Sequence, residues 1–251
     1  MSTELKLNGK VALVTGGGSG IGRASAERLA ADGALVVVAG RSEDQLKEVA
    51  AGHGNIDYIV ADVSDRAQVA ALIDGVVKKH GRLDILFNNA GVAKFLPLEQ
   101  LDGAHYEEQF NINVRGLIDV TQLALPHLKK NGGVILNNAS VVGDDPMPNG
   151  SVYSATKAAV IALGRSWAKE LAPAKIRVNT VSPGPIETPI FGKTGMSEKD
   201  LNDMAAGIQA SVPLGRFGKP EEIAAVVSFL ASDDAAYITG AQYKVDGGMA
   251  A

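Results

Sequence analysis

The sequence predicts an α/β fold with one doubly wound parallel sheet of about seven strands and helices on both faces. Two observations carry this prediction. Short β-branched runs alternate with helical segments along the chain, and such alternation produces right-handed crossovers between parallel strands. A glycine-rich stretch, TGGGSGIG at 15–22, directly follows the first apolar run. We expect a single domain over residues 1–251, because no linker, repeat or low-complexity tract divides the chain.

The individual elements follow from periodicity and from capping residues. Apolar runs rich in β-branched residues predict strands at 10–16, 34–40, 56–63, 83–91, 133–140, 176–184 and 241–248. Helical spacing predicts helices at 21–33, 42–51, 65–80, 105–130, 152–171 and 220–232. We expect Gly33 to close the first helix, Ser42 and Gln45 to form a capping box, and Pro126 to kink or break the fourth helix. The Gly- and Pro-rich stretch 183–220 predicts a substrate lid or binding loop at about 187–212.

Composition excludes several classes of protein. The chain has 251 residues, of which 46% are hydrophobic and 21% charged, and its formal net charge is -4. This balance disfavours a nucleic-acid partner, which would require a basic surface. The absence of cysteine excludes disulfides and thiol catalysis and suits a cytoplasmic location. The beginning of the chain does not resemble a signal peptide, and no apolar run approaches the ~20 residues that span a bilayer, so we expect no membrane partner.

The glycine-rich stretch lies between the first predicted strand and the first predicted helix. Its pattern is Thr15-Gly16-x-x-x-Gly20-x-Gly22. Glycines permit a tight turn and the close approach of a pyrophosphate, while the helix N-terminus offers free amides and a positive dipole end. This position predicts the dinucleotide site of a Rossmann-like fold. The alternative interpretation is a purely structural turn.

The end of the second predicted strand indicates which dinucleotide binds. A ribose-binding acid is usual there, but this strand ends in Gly40 and is followed by Arg41. The donor fork of an arginine suits a 2′-phosphate. Ser42 is interpreted as a helix cap, which places Glu43 in the first helical turn, where acids favour the dipole. We therefore expect NADP(H), with NAD(H) as the alternative if Arg41 is only a solvated surface residue.

Three residues indicate hydride chemistry at a carbonyl group. Tyr153 and Lys157 lie four apart on one face of a predicted helix, and Ser140 ends the fifth predicted strand. Ligands bind beyond the carboxyl ends of parallel strands. We expect the neighbouring ammonium to favour the phenolate and bring the pKa of Tyr153 towards neutral, so that it exchanges a proton with the substrate oxygen. The Ser140 hydroxyl would hold that oxygen in place.

Seven motifs in order resemble those of the short-chain dehydrogenases/reductases over essentially the whole chain. They are the glycine pattern, Asp62-Val63, Asn88-Asn89-Ala90-Gly91, Asn113, Ser140, Tyr153-x-x-x-Lys157, and Ser182-Pro183-Gly184 with Thr188. The resemblance implies an oxidoreductase that transfers hydride between a nicotinamide cofactor and a ketone or secondary alcohol. Three residues between the tyrosine and the lysine favour carbonyl reduction, because enoyl reductases of this superfamily have six.

The resemblance also implies roles for the motif residues. Tyr153 would donate or accept the proton, Ser140 would polarise the carbonyl, and Lys157 would hold the nicotinamide ribose and tune Tyr153. Asn113 would anchor a water in the proton relay. Besides Tyr153 and Lys157, the cofactor would contact Thr15, Gly16, Ser19, Gly20, Ile21, Gly22, Arg41, Ser42, Asp62, Val63, Asn89, Ala90, Gly91, Pro183, Gly184, Ile186 and Thr188. No metal site is expected.

The chain departs from the family pattern at two places. Ser19 stands where NADP-dependent members often have a basic residue, so the choice of cofactor rests on Arg41. The chain is also similar to 3-oxoacyl carrier-protein reductases, which dock an acidic partner. Lys129 and Lys130 could serve that docking, but the second basic place reads Ala174-Lys175 without arginine. We therefore prefer a free ketone or secondary alcohol as substrate. The carrier-protein reductase is the first alternative, and a non-catalytic cofactor-binding regulator is an alternative of another class.

Other residues have a functional and a structural interpretation. The resemblance implies a homotetramer formed partly on the Tyr153 helix, whose small residues would let another helix approach: Ala158, Ala159, Ala162 and Gly164. Four polar residues beside Ser140 could line a pocket, although loop caps and solvated turns are preferred: Asn137, Asn138, Asp144 and Asp145. His105 and His127 are interpreted as structural rather than as metal ligands.

Overall fold

The computed structural model describes residues 5–188 and 206–251. Its strands are β1 Val11–Thr15, β2 Leu35–Gly40, β3 Ile56–Val60, β4 Ile85–Asn88, β5 Gly133–Asn138, β6 Ile176–Pro183 and β7 Gln242–Val245. They form one sheet in the order β3-β2-β1-β4-β5-β6-β7, in which every neighbouring pair is parallel. The predicted fold class and the predicted strands are confirmed.

Helices pack around this sheet close to the predicted positions. They are α1 Gly20–Ala31, α2 Glu43–Ala51, α3 Arg66–His80, α4 Gly103–Phe110, α5 Leu117–Leu128, α6 Ser151–Leu171 and α7 Pro220–Ala231. Gly33 follows the end of α1 with a φ of 102°, a left-handed conformation that suits glycine after a helix. Pro126 lies in the last turn of α5, so it interrupts the helix only at its end.

Two helical details differ from the prediction. The helix predicted over 105–130 is interrupted, because Asn111–Gly116 forms a π-helical turn between α4 and α5. The spacing of apolar residues does not reveal such a turn. The π-helical turn changes the backbone hydrogen bonds from i→i+4 to i→i+5, while the chain continues along the same helical path. Ser42 occupies the N-cap position of α2, but its side chain makes no capping hydrogen bond. The predicted capping box is therefore not formed.

The apolar core consists of two layers, one on each face of the sheet. Val14 and Val38 pack with Leu29 of α1 and Val227 of α7 in one layer. Leu13, the neighbour of Val14, belongs to the other layer, which includes residues of α3, α5 and α6. Strands buried on both faces have continuous apolar runs rather than alternating ones, which is the pattern of β1 and β2.

The order of the strands determines where a ligand site can form. The chain proceeds from β1 outward through β2 and β3, then returns to continue from β4 on the other side of β1. Ligands of open α/β sheets bind at such a switch point, outside the carboxyl ends of the strands. The glycine-rich turn after β1 and the segments after β4, β5 and β6 all lie at this edge.

Three further predictions concern the lid, the small residues of α6 and the membrane, and their outcomes differ. The predicted lid at 187–212 falls mostly outside the described residues. On α6, Ala158 and Ala162 are exposed, but the prediction that Gly164 faces a neighbouring helix is wrong. Gly164 is buried, and a Cβ there would overlap the Thr180 hydroxyl. In the described ranges, no helix is both long and apolar enough to cross a membrane.

Arg177 of β6 fastens the C-terminal end of α7 to the sheet. Its half-buried guanidinium donates to the carbonyl oxygens of Leu230 at 2.8 Å, Ser232 at 3.0 Å and Ile238 at 3.3 Å. Burial lowers the pKa of Arg177. The end of a helix leaves its last carbonyls without intrahelical partners, and Arg177 supplies a charged donor to two carbonyls there. The Ile238 carbonyl also accepts from Asn179 Nδ2 at 2.9 Å, and the Ser232 carbonyl from Ala235 N at 3.2 Å.

We expect Arg177→Met to lower the free energy of unfolding by about 2–4 kcal/mol, because carbonyl groups at the end of α7 lose a charged donor. Urea unfolding of the cofactor-free protein measures this change. Arg165→Met is the control, since exposed Arg165 donates one hydrogen bond, to Gln242 at 2.9 Å. Equal losses for the two variants would contradict the fastening role of Arg177.

Candidate active site

The turn after β1 presents backbone without side chains. Gly16 has a φ of 64°, and a Cβ there would lie 2.9 Å from the Ala90 Cα. A Cβ on Gly22 would overlap the Gly16 carbonyl oxygen. Ser19, the N-cap of α1, makes no side-chain capping hydrogen bond. The first amides of α1, beginning with those of Gly20 and Ile21, therefore suit an external anion.

Asn89 ties this turn to the neighbouring strands. Its side-chain amide donates to the carbonyl oxygens of Thr15 at 3.0 Å and Gly16 at 3.1 Å. The Thr15 hydroxyl accepts from the backbone N–H groups of Asn89 at 3.0 Å and Ala90 at 3.1 Å. Asn138, at the end of β5, donates its side-chain amide to Asn89 Oδ1 at 2.9 Å. These bonds join the carboxyl ends of β1, β4 and β5.

Exposed donors follow β2. Arg41 and Ser42 are both exposed, and within the described part of the chain Arg41 forms no ion pair. Glu43 pairs with Lys47 of the same helix, with Nζ and Oε1 3.0 Å apart, and this contact holds the pKa of Glu43 below its usual value. The competing acid is therefore engaged within the first turns of α2, while the guanidinium of Arg41 remains available.

Asp62 and Val63 follow β3 at the same edge of the sheet. Asp62 Oδ1 accepts from the backbone N–H of Ser64 at 2.9 Å and from its hydroxyl at 2.7 Å. Val63 packs against the π-helical turn, where a Cβ on Gly116 would be 2.8 Å from the Val63 carbonyl oxygen. This segment is thus held against both the start of α3 and the helix that carries Asn113.

Tyr153 and Lys157 lie one turn apart on α6, as predicted. Lys157 Nζ is 5.7 Å from the centroid of the Tyr153 ring and donates to the main-chain carbonyl of Asn138 at 2.8 Å. Lys157 is buried and Tyr153 half-buried. Ser140 follows β5, and its hydroxyl interacts with that of Tyr153. The structure therefore brings these three predicted catalytic residues together.

Burial determines the pKa values of both groups. It raises the pKa of Tyr153 to about 12, and the interaction with Ser140 opposes this only in part. Burial also lowers the pKa of Lys157 to about 8. The prediction that the ammonium brings the pKa of Tyr153 towards neutral is therefore wrong for the cofactor-free protein. Lys157 donates to the Asn138 carbonyl, and desolvation outweighs its attraction for a phenolate.

Asn113 braces the helix that carries Tyr153 and Lys157. It lies in the π-helical turn; its Oδ1 accepts from Val92 N at 2.8 Å, and its Nδ2 donates to Val92 O at 2.9 Å and Thr156 Oγ1 at 3.1 Å. Thr156 donates in turn to the Tyr153 carbonyl at 2.7 Å. A Cβ on Gly91 would be 3.1 Å from Asn113 Oδ1. Asn113 thus connects the segment after β4 to the turn of α6 that carries Tyr153.

The segment after β6 completes the edge of the site. The Ser140 hydroxyl donates to the Pro183 carbonyl at 3.5 Å. Gly184 donates its N–H to the Val245 carbonyl at 3.0 Å, and the following Ile186 is buried. Thr188 is the last described residue before the gap. The described part of this predicted cofactor segment therefore lies beside the predicted catalytic residues.

Asn137 and Asn138 match neither interpretation made from the sequence. Asn137 is fully buried in β5, where its Oδ1 accepts from Asn88 Nδ2 at 3.0 Å, so it is neither a pocket wall nor a solvated cap. Asn138 holds Lys157 through its carbonyl, a positioning role that sequence reasoning missed. The only available signal was its place at a strand end, two residues before Ser140.

The other polar residues considered lie apart from these contacts. Asp144 and Asp145 are exposed, as expected for solvated turns. His105 is buried in α4, with Nε2 2.9 Å from Gln109 Nε2. His127 lies in the last turn of α5. Both histidines therefore lie within helices.

The sheet order and the motifs at its carboxyl edge match a known family. The family model described as enoyl-(acyl carrier protein) reductase matches residues 16–250. The chain belongs to the short-chain dehydrogenase/reductase family. Proteins of this family are oxidoreductases that bind a nicotinamide cofactor.

Several members of the short-chain dehydrogenase/reductase family are similar over nearly their whole length. A 3-oxoacyl-(acyl-carrier-protein) reductase of Thermotoga maritima is 42% identical, over 98% of this chain and 99% of the relative. A levodione reductase of Leifsonia aquatica is 37% identical, over 100% of this chain and 97% of the relative. The crystal structure of a 3-ketoacyl-(acyl-carrier-protein) reductase from Brucella melitensis, complexed with NADH, superposes with a TM-score of 0.91 at 38% identity, covering 98% of this chain and 100% of that one.

The residues at the carboxyl edge fit a nicotinamide dinucleotide. A pyrophosphate needs bare backbone at a positive helix end, and the turn around Gly16 and Gly22 provides it. The riboses need polar side chains, and Arg41, Asp62 and Lys157 lie at the same edge. Because hydride comes from such a cofactor, the protein contributes binding, orientation and proton transfer.

Lys157 makes the stability of the cofactor-free protein depend on pH. Below pH 8 folding must bury its ammonium, whereas between pH 8 and pH 10.5 the folded chain loses this proton before the unfolded chain does. Stability contributed by this group therefore rises with pH across that window. We expect Lys157→Met to remove this rise, which amounts to about 3 kcal/mol from pH 8 to pH 10.5.

Urea unfolding of wild type and Lys157→Met at several pH values in this window measures the effect. The difference in unfolding free energy between the two proteins should shift in favour of wild type as pH rises. Lys78→Met, which removes an exposed lysine of α3, is the matched control and should keep the wild-type slope. A difference between wild type and Lys157→Met that does not change with pH would contradict the pKa of about 8.

Proposed function

We propose that the protein transfers hydride between a nicotinamide cofactor and a free ketone or secondary alcohol. The observation that carries this proposal is the grouping at one sheet edge of Ser140, Tyr153 and a buried Lys157. A hydroxyl pair with a lysine behind it suits an oxygen that gains negative charge and then a proton. The similarity to a levodione reductase supports a ketone as the substrate class.

Each group has a separate part in ketone reduction. Hydride for the carbonyl carbon would come from a reduced nicotinamide cofactor when one is bound. The Ser140 hydroxyl donates to the carbonyl oxygen, and Tyr153 transfers its phenolic proton to that oxygen as the carbon–oxygen double bond becomes a single bond. Lys157 orients the cofactor ribose and stabilises the resulting phenolate. Asn113 holds the turn of α6 in register through Thr156 and offers an anchor for a water that returns the proton.

We expect Tyr153→Phe to lower ketone reduction by about 10²–10⁴-fold, because it removes the proton donor and leaves the ring in place. Oxidation of NADPH or NADH in the presence of a ketone measures the rate, and a cofactor titration confirms that binding is retained. Tyr106→Phe, at an exposed tyrosine of α4, is the matched control. Full activity in the Tyr153→Phe protein would contradict this mechanism.

We infer that the preferred cofactor is NADP(H). Arg41 is exposed at the end of β2, near Ser42, and its acidic neighbour Glu43 is paired with Lys47. A guanidinium in this position can bind a 2′-phosphate through two donors. NAD(H) remains the alternative, since the Brucella melitensis relative was crystallised with NADH.

We expect Arg41→Gln to raise the Kd of NADPH by about tenfold or more, because a charged hydrogen bond to the phosphate is lost. The Kd of NADH should change by less than about twofold. Fluorescence titration of both cofactors measures this, with Lys169→Gln on α6 as a control for the change in net charge. A wild-type protein that binds NADH as tightly as NADPH would contradict the preference.

A 3-oxoacyl carrier-protein reductase is the second candidate. Lys129 and Lys130 are exposed at the end of α5, and Lys175 lies beside them because Gly133 N donates to the Lys175 carbonyl at 3.2 Å. This group of lysines suits an acidic partner. However, the second basic place reads Ala174-Lys175, without arginine. The free ketone therefore remains the preferred substrate, and rates with an acetoacetyl carrier protein distinguish the two.

Two other functions are less well supported than ketone reduction. The description of the matched family model names enoyl reduction. Only three residues separate Tyr153 from Lys157, and this spacing favours carbonyl reduction instead. A non-catalytic regulator would not need the Ser140, Tyr153 and Lys157 grouping.

We further propose a single-domain protein of the cytoplasm that forms a homotetramer. Its exposed small residues on α6, Ala158 and Ala162, would permit close helix contact in the tetramer.

A further inference from the structure

Two large apolar side chains remain exposed beside Tyr153. Phe95 is 36% exposed and Met147 is 37% exposed. Single exposed apolar residues are common, whereas a contiguous apolar patch marks a binding surface. These two side chains are contiguous, because a Cβ on Gly150 would lie 2.9 Å from Met147 Cγ and 3.5 Å from Phe95 Cδ1. Phe95, Met147 and Gly150 are called the apolar wall below.

The apolar wall borders the reacting group directly. The ring centroids of Phe95 and Tyr153 are 5.8 Å apart, and the ring planes meet at 73°. This edge-to-face contact is a favoured arrangement of aromatic pairs. The Phe95 ring therefore stands nearly perpendicular to the ring that carries the phenolic hydroxyl. A substrate whose carbonyl oxygen reaches that hydroxyl places a substituent next to the wall.

Backbone contacts hold the wall in place. Leu96 N donates to the Asn149 carbonyl at 2.9 Å, which joins the segment after β4 to the segment before α6. Asn149 has a φ of 62°, a left-handed conformation that asparagine tolerates better than most residues. Because the two segments are tied together, Phe95 and Met147 are presented as one surface.

Two of the three charged side chains near the wall in sequence have partners of their own, while the third, Asp145, is exposed. Lys94 pairs with Glu108 of α4. Asp144 accepts a hydrogen bond from Gln242 of β7. Pairing of a charged substrate group with either residue would first have to break these contacts. Phe95 and Met147 offer no partner to a charged group that loses water beside them, so an uncharged substituent suits this surface better than a charged one.

We propose that the site selects uncharged ketones that carry a ring or a branched apolar group, and that Phe95 is the selecting residue. This inference rests on the proposed function and adds the substrate class to it. A saturated ring or a branched group can bury apolar area against the Phe95 ring and the Met147 thioether, and an aromatic ring additionally makes favourable contacts with both. A small ketone such as butanone reaches Tyr153 and Ser140 without covering the wall.

The test compares cyclohexanone and acetophenone with butanone. Wild type should show a kcat/KM for the ring ketones at least about tenfold above that for butanone. Phe95→Ala should lower the kcat/KM of the ring ketones, mainly through KM, by at least about fivefold more than that of butanone. Phe95→Leu, which stays apolar, should retain part of the preference for ring ketones. Phe229→Ala is the matched control, because Phe229 of α7 is 37% exposed.

Binding without turnover gives a second readout. Calorimetric titration of cyclohexanone and of butanone into the cofactor-saturated Tyr153→Phe protein should show the same preference for the ring, and Phe95→Ala in that background should remove it. Equal kcat/KM for cyclohexanone and butanone in wild type, or equal losses for both in Phe95→Ala, would overturn the role of Phe95 and leave the proposed function standing. Absence of turnover with every ketone, despite cofactor binding, would overturn the proposed function, and the calorimetric preference would then decide whether the wall binds rings.

Discussion

Asn89 is the point at which the two halves of the site are held together. Its amide donates to the carbonyls of Thr15 and Gly16, and its Oδ1 accepts from Asn138. The first contacts fix the bare turn after β1, and the last reaches the residue whose carbonyl binds Lys157. The bare turn after β1 and the carbonyl that holds Lys157 are thus joined through one side chain at the switch point of the sheet.

Burying the ammonium of Lys157 costs free energy of desolvation, and it leaves a positive charge inside the site. Desolvation lowers the pKa of Lys157 to about 8, and no carboxylate among residues 5–188 and 206–251 pairs with its ammonium. The Asn138 carbonyl offsets part of this cost, since a hydrogen bond to the charged form favours that form. A dipole does not neutralise the ammonium as a carboxylate would. The charge therefore remains available to an anionic or electron-rich group that enters the site.

The extent of prediction from sequence differs between the fold and the site. Parallel strands buried on both faces, such as β2, have apolar runs that sequence reveals, and the spacing of Tyr153 and Lys157 fixes their common face. The π-helical turn around Asn113 was not predictable, because the spacing of apolar residues does not show to which carbonyl each backbone N–H donates its hydrogen bond. The inward position of Gly164 and the pKa of Tyr153 depend on tertiary packing, which spacing along the chain does not contain.

The two perturbed pKa values determine which protonation states the site holds near neutral pH. Reduction needs a phenol that still has its proton, and burial keeps the pKa of Tyr153 at about 12. Alcohol oxidation needs the phenolate instead. Raising the pH towards that state first removes the proton of Lys157, near pH 8, and with it the charge that stabilises a phenolate. In the cofactor-free site Tyr153 therefore keeps its proton near neutral pH, which is the state in which a phenol can donate to a substrate oxygen.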